Sequence, residues 1–169
     1  TGLAALGIST ALEQRYALQP KIKWPNDILL HGKKVAGILV ESSWVGDQLQ
    51  GVVIGIGINT HRDAVPPPEM LQFPATSLED EISIPVEREG VLHDVLDALQ
   101  RWRPGLGRGE MADAWAEKLA FRSEQVEIRR ENGQVIRGNL LGINQDGSLR
   151  LDTHPSIHFG DVHLRPMQV

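Results

Sequence analysis

The sequence contains no cysteine, which removes disulfides, thiolate metal sites and thiol catalysis together and fits a reducing compartment. No apolar run approaches the roughly 20 residues needed to span a bilayer, so a membrane role is excluded and a cytoplasmic protein is expected. Positive charge is also short: 17 Lys and Arg against 22 Asp and Glu leave a net −5, which removes the electrostatic case for a nucleic-acid binder. An initiator Met and a basic-then-apolar leader are missing as well, because Thr1 opens directly onto a helical pattern. The expectation is a fragment whose preceding part holds half of the functional site. What remains is an ordinary globular composition, 169 residues with 41% apolar and 23% charged, enough for one main domain and a small appendage.

Ala4, Ile8, Ala11 and Leu12 form one helical stripe that ends near Ala17, ahead of Pro20. Strands are predicted at Ile22 to Trp24, Asp27 to Leu30, Val35 to Glu41 and Leu49 to Asn59, with turns at His31-Gly32 and Val45-Gly46-Asp47, as an antiparallel meander. Thr60 to Pro85 reads as a long loop with a short helix. Pro85 sits where helices take proline, and Leu92, Val95, Leu96, Leu99 and Trp102 follow at helical spacing. Met111, Ala114, Trp115 and Leu119 share the face of a further helix, and the tryptophans are assigned to the core. After Phe121 the period changes to alternation, with turn signals at Asn132-Gly133 and Asp146-Gly147. This is a small all-β module whose six acids balance six bases.

The most informative strand is Val53-Ile54-Gly55-Ile56-Gly57-Ile58-Asn59. Alternation puts Ile54, Ile56 and Ile58 on one face and leaves Val53, Gly55, Gly57 and Asn59 on the other. A strand face stripped of side chains admits close approach, either by a packed neighbour or by a ligand, and the terminal amide favours a polar ligand group. Lys23-Trp24-Pro25-Asn26-Asp27 is a strand breaking into an Asn-Asp turn. Its lysine is placed to meet a phosphate or carboxylate, although most strand lysines reach solvent. Lys34 to Glu41 is a nearly continuous apolar strand with Gly37, Leu39 and Glu41 on one face. By residue type alone, Gly37 reads equally as a bulge or packing contact.

Those three segments, in that order and at that spacing, resemble the signature of the biotin-protein ligases. The resemblance extends through Ala75-Thr76-Ser77-Leu78 and the Trp115 helix to the terminal module, and so covers essentially the whole chain. It implies an α+β fold: a class II synthetase-like mixed sheet with helices (residues 1–120), followed by an SH3-like β-barrel (residues 121–169). It also implies ATP-dependent activation of biotin to biotinyl-AMP, with Mg2+, and transfer to a lysine of a biotin carboxyl carrier protein. Lys23 matches the family's lysine and is assigned to neutralising the carboxylate and phosphate. Asn26, Lys34, Gly37, Gly55, Gly57 and Asn59 are assigned to binding the ligand.

The family's Gly- and Arg-rich loop and its biotin-ring segment would precede Thr1, so the chain alone is expected to be weakly active or inactive. Phe159-Gly160-Asp161-Val162-His163 stands where the family has a Ser-Gly-Glu-Val-Ser-like run, and the shorter acid reaches less far. A lipoate-type ligase and a non-catalytic, biotin-responsive regulatory module are the alternatives. Strand edges also offer a route to a homodimer. His154, His158 and His163 are read as surface histidines and not as a metal cluster.

Overall fold

A computed structural model describes residues 1–130, 133–158 and 162–166, with 162–165 described by backbone alone. Asn132, Phe159, Gly160, Asp161 and the side chain of His163 therefore lie outside the described residues.

Helix α1 (Gly2–Tyr16) closes with Ala17 in the left-handed conformation, its amide on the Glu13 carbonyl. The expected stripe understates its burial. Gly2, Ala5, Leu6, Gly7 and Ser9 are buried together with Ala4, Ile8, Ala11 and Leu12, because the helix is enclosed on several sides. On one side lie strands β1 (Lys21–Lys23), β2 (Asp27–Leu30), β3 (Lys33–Val45) and β4 (Gln48–Ile58), paired in that order. On another side lie α3 (Arg88–Trp102) and α4 (Gly109–Glu117). Gly7 permits the close approach of α3, since a Cβ there would stand 2.8 Å from Leu99 Cδ2.

All ladders of the first sheet are antiparallel, where a mixed sheet was expected. Short turns join its consecutive strands, and such turns permit only antiparallel neighbours. Parallel pairing is confined to single bridges, Ile22 with Leu119 and Lys34 with Ala75. The meander itself is as expected, but β3 and β4 extend well beyond the sheet as a long hairpin.

Two helices depart from the sequence reading. Helix α3 begins at Arg88 with Glu87 as its cap, three residues after Pro85, and buries Val91, Val95 and Ala98 while Leu92 and Leu96 face outward. Apolar residues on both sides of this helix allow two phases, and packing on α1 selects the one with small and β-branched residues inward. Leu119 lies beyond the end of α4 and is buried through its bridge to Ile22. In the long loop, the expected short helix is α2 (Leu78–Ile82), capped by Ser77, whose Oγ accepts from the Asp80 amide at 3.2 Å.

A second antiparallel sheet follows, in the order β7 (Leu149–Leu151), β6 (Val135–Ile143), β5 (Gln125–Arg130), β8 (Val162–Pro166). Among the described residues these strands form an open sheet, and closure into a barrel is not seen. Val126, Ile128, Leu140 and Leu149 carry its core, continuous with that of the first sheet. No helix among the described residues is long and apolar enough to cross a membrane.

Candidate functional site

Register turns the three sequence segments into one surface. Lys23 stands opposite Asp27 in β2, Asp27 opposite Gly37 in β3, and Gly37 opposite Gly57 in β4. Directly opposed residues share a face, so a single row runs from a lysine through a carboxylate to two glycines. The next rows on that face pair Leu39 with Gly55 and Glu41 with Val53. Ile22, Ile28, Ala36 and Ile58 form the adjacent row, which points to the core.

The glycine face is open. A Cβ added at Gly57 would meet nothing within 4 Å, and one at Gly55 would meet only Leu39, at 3.6 Å from its carbonyl oxygen. Among the described residues, therefore, no helix or aromatic packs against Gly55 or Gly57.

Lys34 reaches this face through a β-bulge. It stands three positions before Gly37, so strict alternation would place it on the core side. The register slips between Ile28 and Leu29, which pair with Ala36 and Lys34 respectively, leaving Val35 as the extra residue. Lys34 Nζ consequently lies 2.6 Å from Asp27 Oδ1. It also lies across Gly37, where a Cβ would come within 3.1 Å of it. The backbone of Lys34 is pinned from the long loop: its amide donates to Pro74 O at 2.7 Å and its carbonyl accepts from Thr76 N at 2.9 Å.

Lys23 Nζ donates to the other oxygen of Asp27, Oδ2, at 2.9 Å. One carboxylate thus holds two ammonium groups, and the cluster keeps one net positive charge. The two lysines differ in access. The Lys23 side chain is 9% exposed and lies under the Phe73 ring, 4.9 Å from its centroid, whereas the Lys34 side chain is 39% exposed.

Both asparagines are tied to neighbouring backbone. Asn26 Nδ2 donates to Ile38 O at 3.1 Å while Ile38 N donates to Asn26 O at 2.9 Å, which fixes the turn against β3. Asn59 Nδ2 donates to Thr76 O at 3.0 Å and its amide to Val35 O at 2.8 Å, which holds the loop over the end of β4. All seven sequence-predicted residues, Lys23, Asn26, Lys34, Gly37, Gly55, Gly57 and Asn59, lie on or at the rim of this one face. Sequence reasoning missed Asp27 as the clasp and Phe73 as the cover. Asp27 had a detectable signal in its cross-strand pairing with Lys23, the two residues flanking a three-residue turn; Phe73, in a loop without periodicity, had none.

Residues 5–59, the stretch that contains the whole row, match the model of the biotin/lipoate A/B protein ligase family. It is 34% identical over 170 residues to the bifunctional ligase/repressor BirA of Bacillus subtilis (strain 168), covering 97% of this chain and 52% of that protein. It is 36% identical over 154 residues to the biotin--[acetyl-CoA-carboxylase] ligase of Paracoccus denitrificans, covering 87% of this chain and 61% of the relative. The chain thus spans about half the length of the first of these relatives. Among solved structures, the biotin protein ligase from Aquifex aeolicus in complex with biotin and ATP superimposes with a TM-score of 0.81 at 27% identity, over 98% of this chain and 70% of that one.

Proposed function

We propose that this chain carries the adenylate-forming face of a biotin-protein ligase, which activates biotin with ATP to biotinyl-AMP and passes the biotinyl group to a lysine of a biotin carboxyl carrier protein. The observation that carries this reading is the open Gly55–Gly57 face with the Lys23–Asp27–Lys34 cluster at its edge. Two anions, a carboxylate and a phosphate, must be brought together on it, and a cation fixed beside a bare strand lowers their repulsion. The likeness to a solved ligase in complex with biotin and ATP supports the substrate pair.

Lys23 neutralises the biotin carboxylate and the adenylate phosphate, held in place by Asp27. Lys34, the more exposed lysine on the other oxygen of Asp27, is a further binding group for the ATP and adenylate parts. Asn26 and Asn59 keep the turn and the loop at the rim, and Gly55 and Gly57 let the flat parts of the ligand lie on the backbone. Mg2+ enters with the ATP phosphates as part of the substrate.

In this reading residues 1–120 are the catalytic part and residues 121–169 a terminal module of SH3-like type. The protein is cytoplasmic, and the uncharged edge of β4 is the surface through which two copies pair. A lipoate-type ligase is the competing assignment and a non-catalytic regulatory module the other. Thermal unfolding with biotin or lipoate, each with and without Mg-ATP, separates them. Stabilisation by biotin, and formation of biotinyl-AMP once the preceding part of the protein is supplied, support the proposal. Stabilisation by lipoate alone overturns it in favour of the first alternative, and binding of biotin without any adenylate, with the preceding part of the protein supplied, in favour of the second.

A further inference from the structure

The site strand is also gripped from behind. Trp24 lies between Lys23 and the Asn26-Asp27 turn, is fully buried, and donates from Nε1 to the carbonyl of Gly147 at 3.0 Å, across 123 residues of sequence. Gly147 belongs to the β6–β7 turn of the terminal module, and that turn is heavily braced. Gly147 N donates to Asn144 O and Asn144 N to Ser148 O, each at 2.9 Å. Ser148 donates to Asp146 Oδ1 from both its amide, at 2.9 Å, and its hydroxyl, at 2.6 Å, and Asn144 Nδ2 donates to Ser148 Oγ at 2.9 Å. The carbonyl that receives the indole is therefore held in place by its own turn.

A second link runs beside the first. Ile22, on the same face of β1 as Trp24, donates to Lys118 O at 2.7 Å and accepts from Ala120 N at 2.9 Å, so the segment leading into the terminal module flanks β1 directly. The short strand bearing Lys23 is thus flanked by β2 on one edge and by this segment on the other. The turn that follows it is fixed to β3 through Asn26.

We infer that Trp24 is a positioning residue and that the Asn144–Ser148 turn of the terminal module sets, through it, the placement of Lys23, Asn26 and Asp27 on the ligand face. The inference rests on the ligase reading for its consequence, since displacing Asp27 moves Lys23 and Lys34, the cations given to the ligand. Its structural half is independent of that reading. Misplacement of a reacting or anchoring group by even 1 Å is felt strongly in such sites.

The test compares Trp24→Phe, which keeps a ring but removes the donor, with Asp146→Ala, which slackens the turn without touching the site strand. Arg129→Ala, on the outer side of the terminal sheet, is the control. Affinities for biotin and for Mg-ATP are measured by calorimetry well below the melting temperature of each variant, and the Asn26 side-chain amide is followed by NMR. The expected result is affinity weakened by roughly tenfold in both Trp24→Phe and Asp146→Ala, a shifted Asn26 amide in both, and neither change in Arg129→Ala. A lowered melting temperature with unchanged affinity and an unmoved Asn26 amide overturns the inference and leaves Trp24 a core residue. If the unsubstituted chain binds neither ligand even with the preceding part of the protein supplied, the ligase reading fails, and the Asn26 amide alone then decides the positioning claim: a shift in both variants supports it and no shift overturns it.

Discussion

Lys34 and Asp27 meet at 2.6 Å on the glycine face of the sheet, although strict strand alternation assigns Lys34 to the core side. The bulge at Val35 is the cause, and it makes Asp27 a shared counter-ion for Lys34 and Lys23. Asp27→Asn should therefore cost more than a surface ion pair does. Lys23 and Asp27 side chains are each 9% exposed, and removing one member of a nearly buried pair leaves an uncompensated charge, a loss of about 3 kcal/mol. Urea denaturation measures it, and a loss near the surface-pair value of about 0.5 kcal/mol would show that the clasp is better solvated than its burial indicates.

Gly57→Val separates function from folding. Nothing lies within 4 Å of a Cβ at that position, and valine suits a strand better than glycine, so stability is expected to hold or rise by up to about 1 kcal/mol. Ligand affinity should nevertheless fall by more than about tenfold, because the added isopropyl group occupies the surface on which the ligand lies. Gly37→Ala should act differently, displacing the Lys34 ammonium, which sits 3.1 Å from the new Cβ. A thermal melt beside a biotin titration reads both effects, and undiminished affinity in Gly57→Val would remove that residue from the site.

Much of this was legible in the sequence because it depends on local rules. The period of two exposed the Gly55–Gly57 face, and the turn residues His31-Gly32 and Gly46-Asp47 marked the ends of the strands. What was not legible depends on register and on distant partners. A bulge reverses the facing of Lys34 without changing any residue type. The phase of α3 was set by α1, which takes Val91, Val95 and Ala98 and leaves Leu92 and Leu96 outside. The hydrogen bond from Trp24 to Gly147 joins residues 123 apart, a separation at which no sequence spacing carries information. Closure of the terminal strands into a barrel likewise depends on pairing that the alternation of β5 to β7 does not specify.

The terminal module should be sensitive to acid. The Asp146 carboxyl is held below its ordinary value first by the Ser148 hydroxyl and then by the Ser148 amide. Asp152 is lowered by the Asn139 amide and side chain, and Glu127 by Arg137 and then Arg129. A carboxylate whose folded pKa is depressed contributes stability above its unfolded value, near pH 4, and loses that contribution as pH falls through the lower folded value. The expected outcome is a denaturation midpoint that is flat near neutrality and falls below about pH 4. Asp146→Asn and Asp152→Asn should each flatten that fall, and an unchanged pH profile in both would assign the acid sensitivity elsewhere.

The β3–β4 hairpin should drive self-association. Strand β4 carries neither charge nor proline over its 11 residues and is the last strand in the sheet order among the described residues. Along the hairpin Leu39, Trp44, Val45, Leu49, Val52 and Val53 are exposed, Val53 by 67%. An edge of this length and apolarity lacks the lysines and prolines by which sheet edges avoid pairing, its register slip lying at Gln50 near the hairpin turn, and antiparallel pairing of β4 with its own copy satisfies the two-fold rule for a closed dimer. Sedimentation velocity should show a weight-average coefficient that rises with protein concentration. Val52→Lys, which puts a charge in the middle of the edge, should hold the chain monomeric while its melting temperature stays within a few degrees of the parent's. Persistent association in Val52→Lys would place the contact away from β4, and α3 with its outward Leu92 and Leu96 would be the next surface to test.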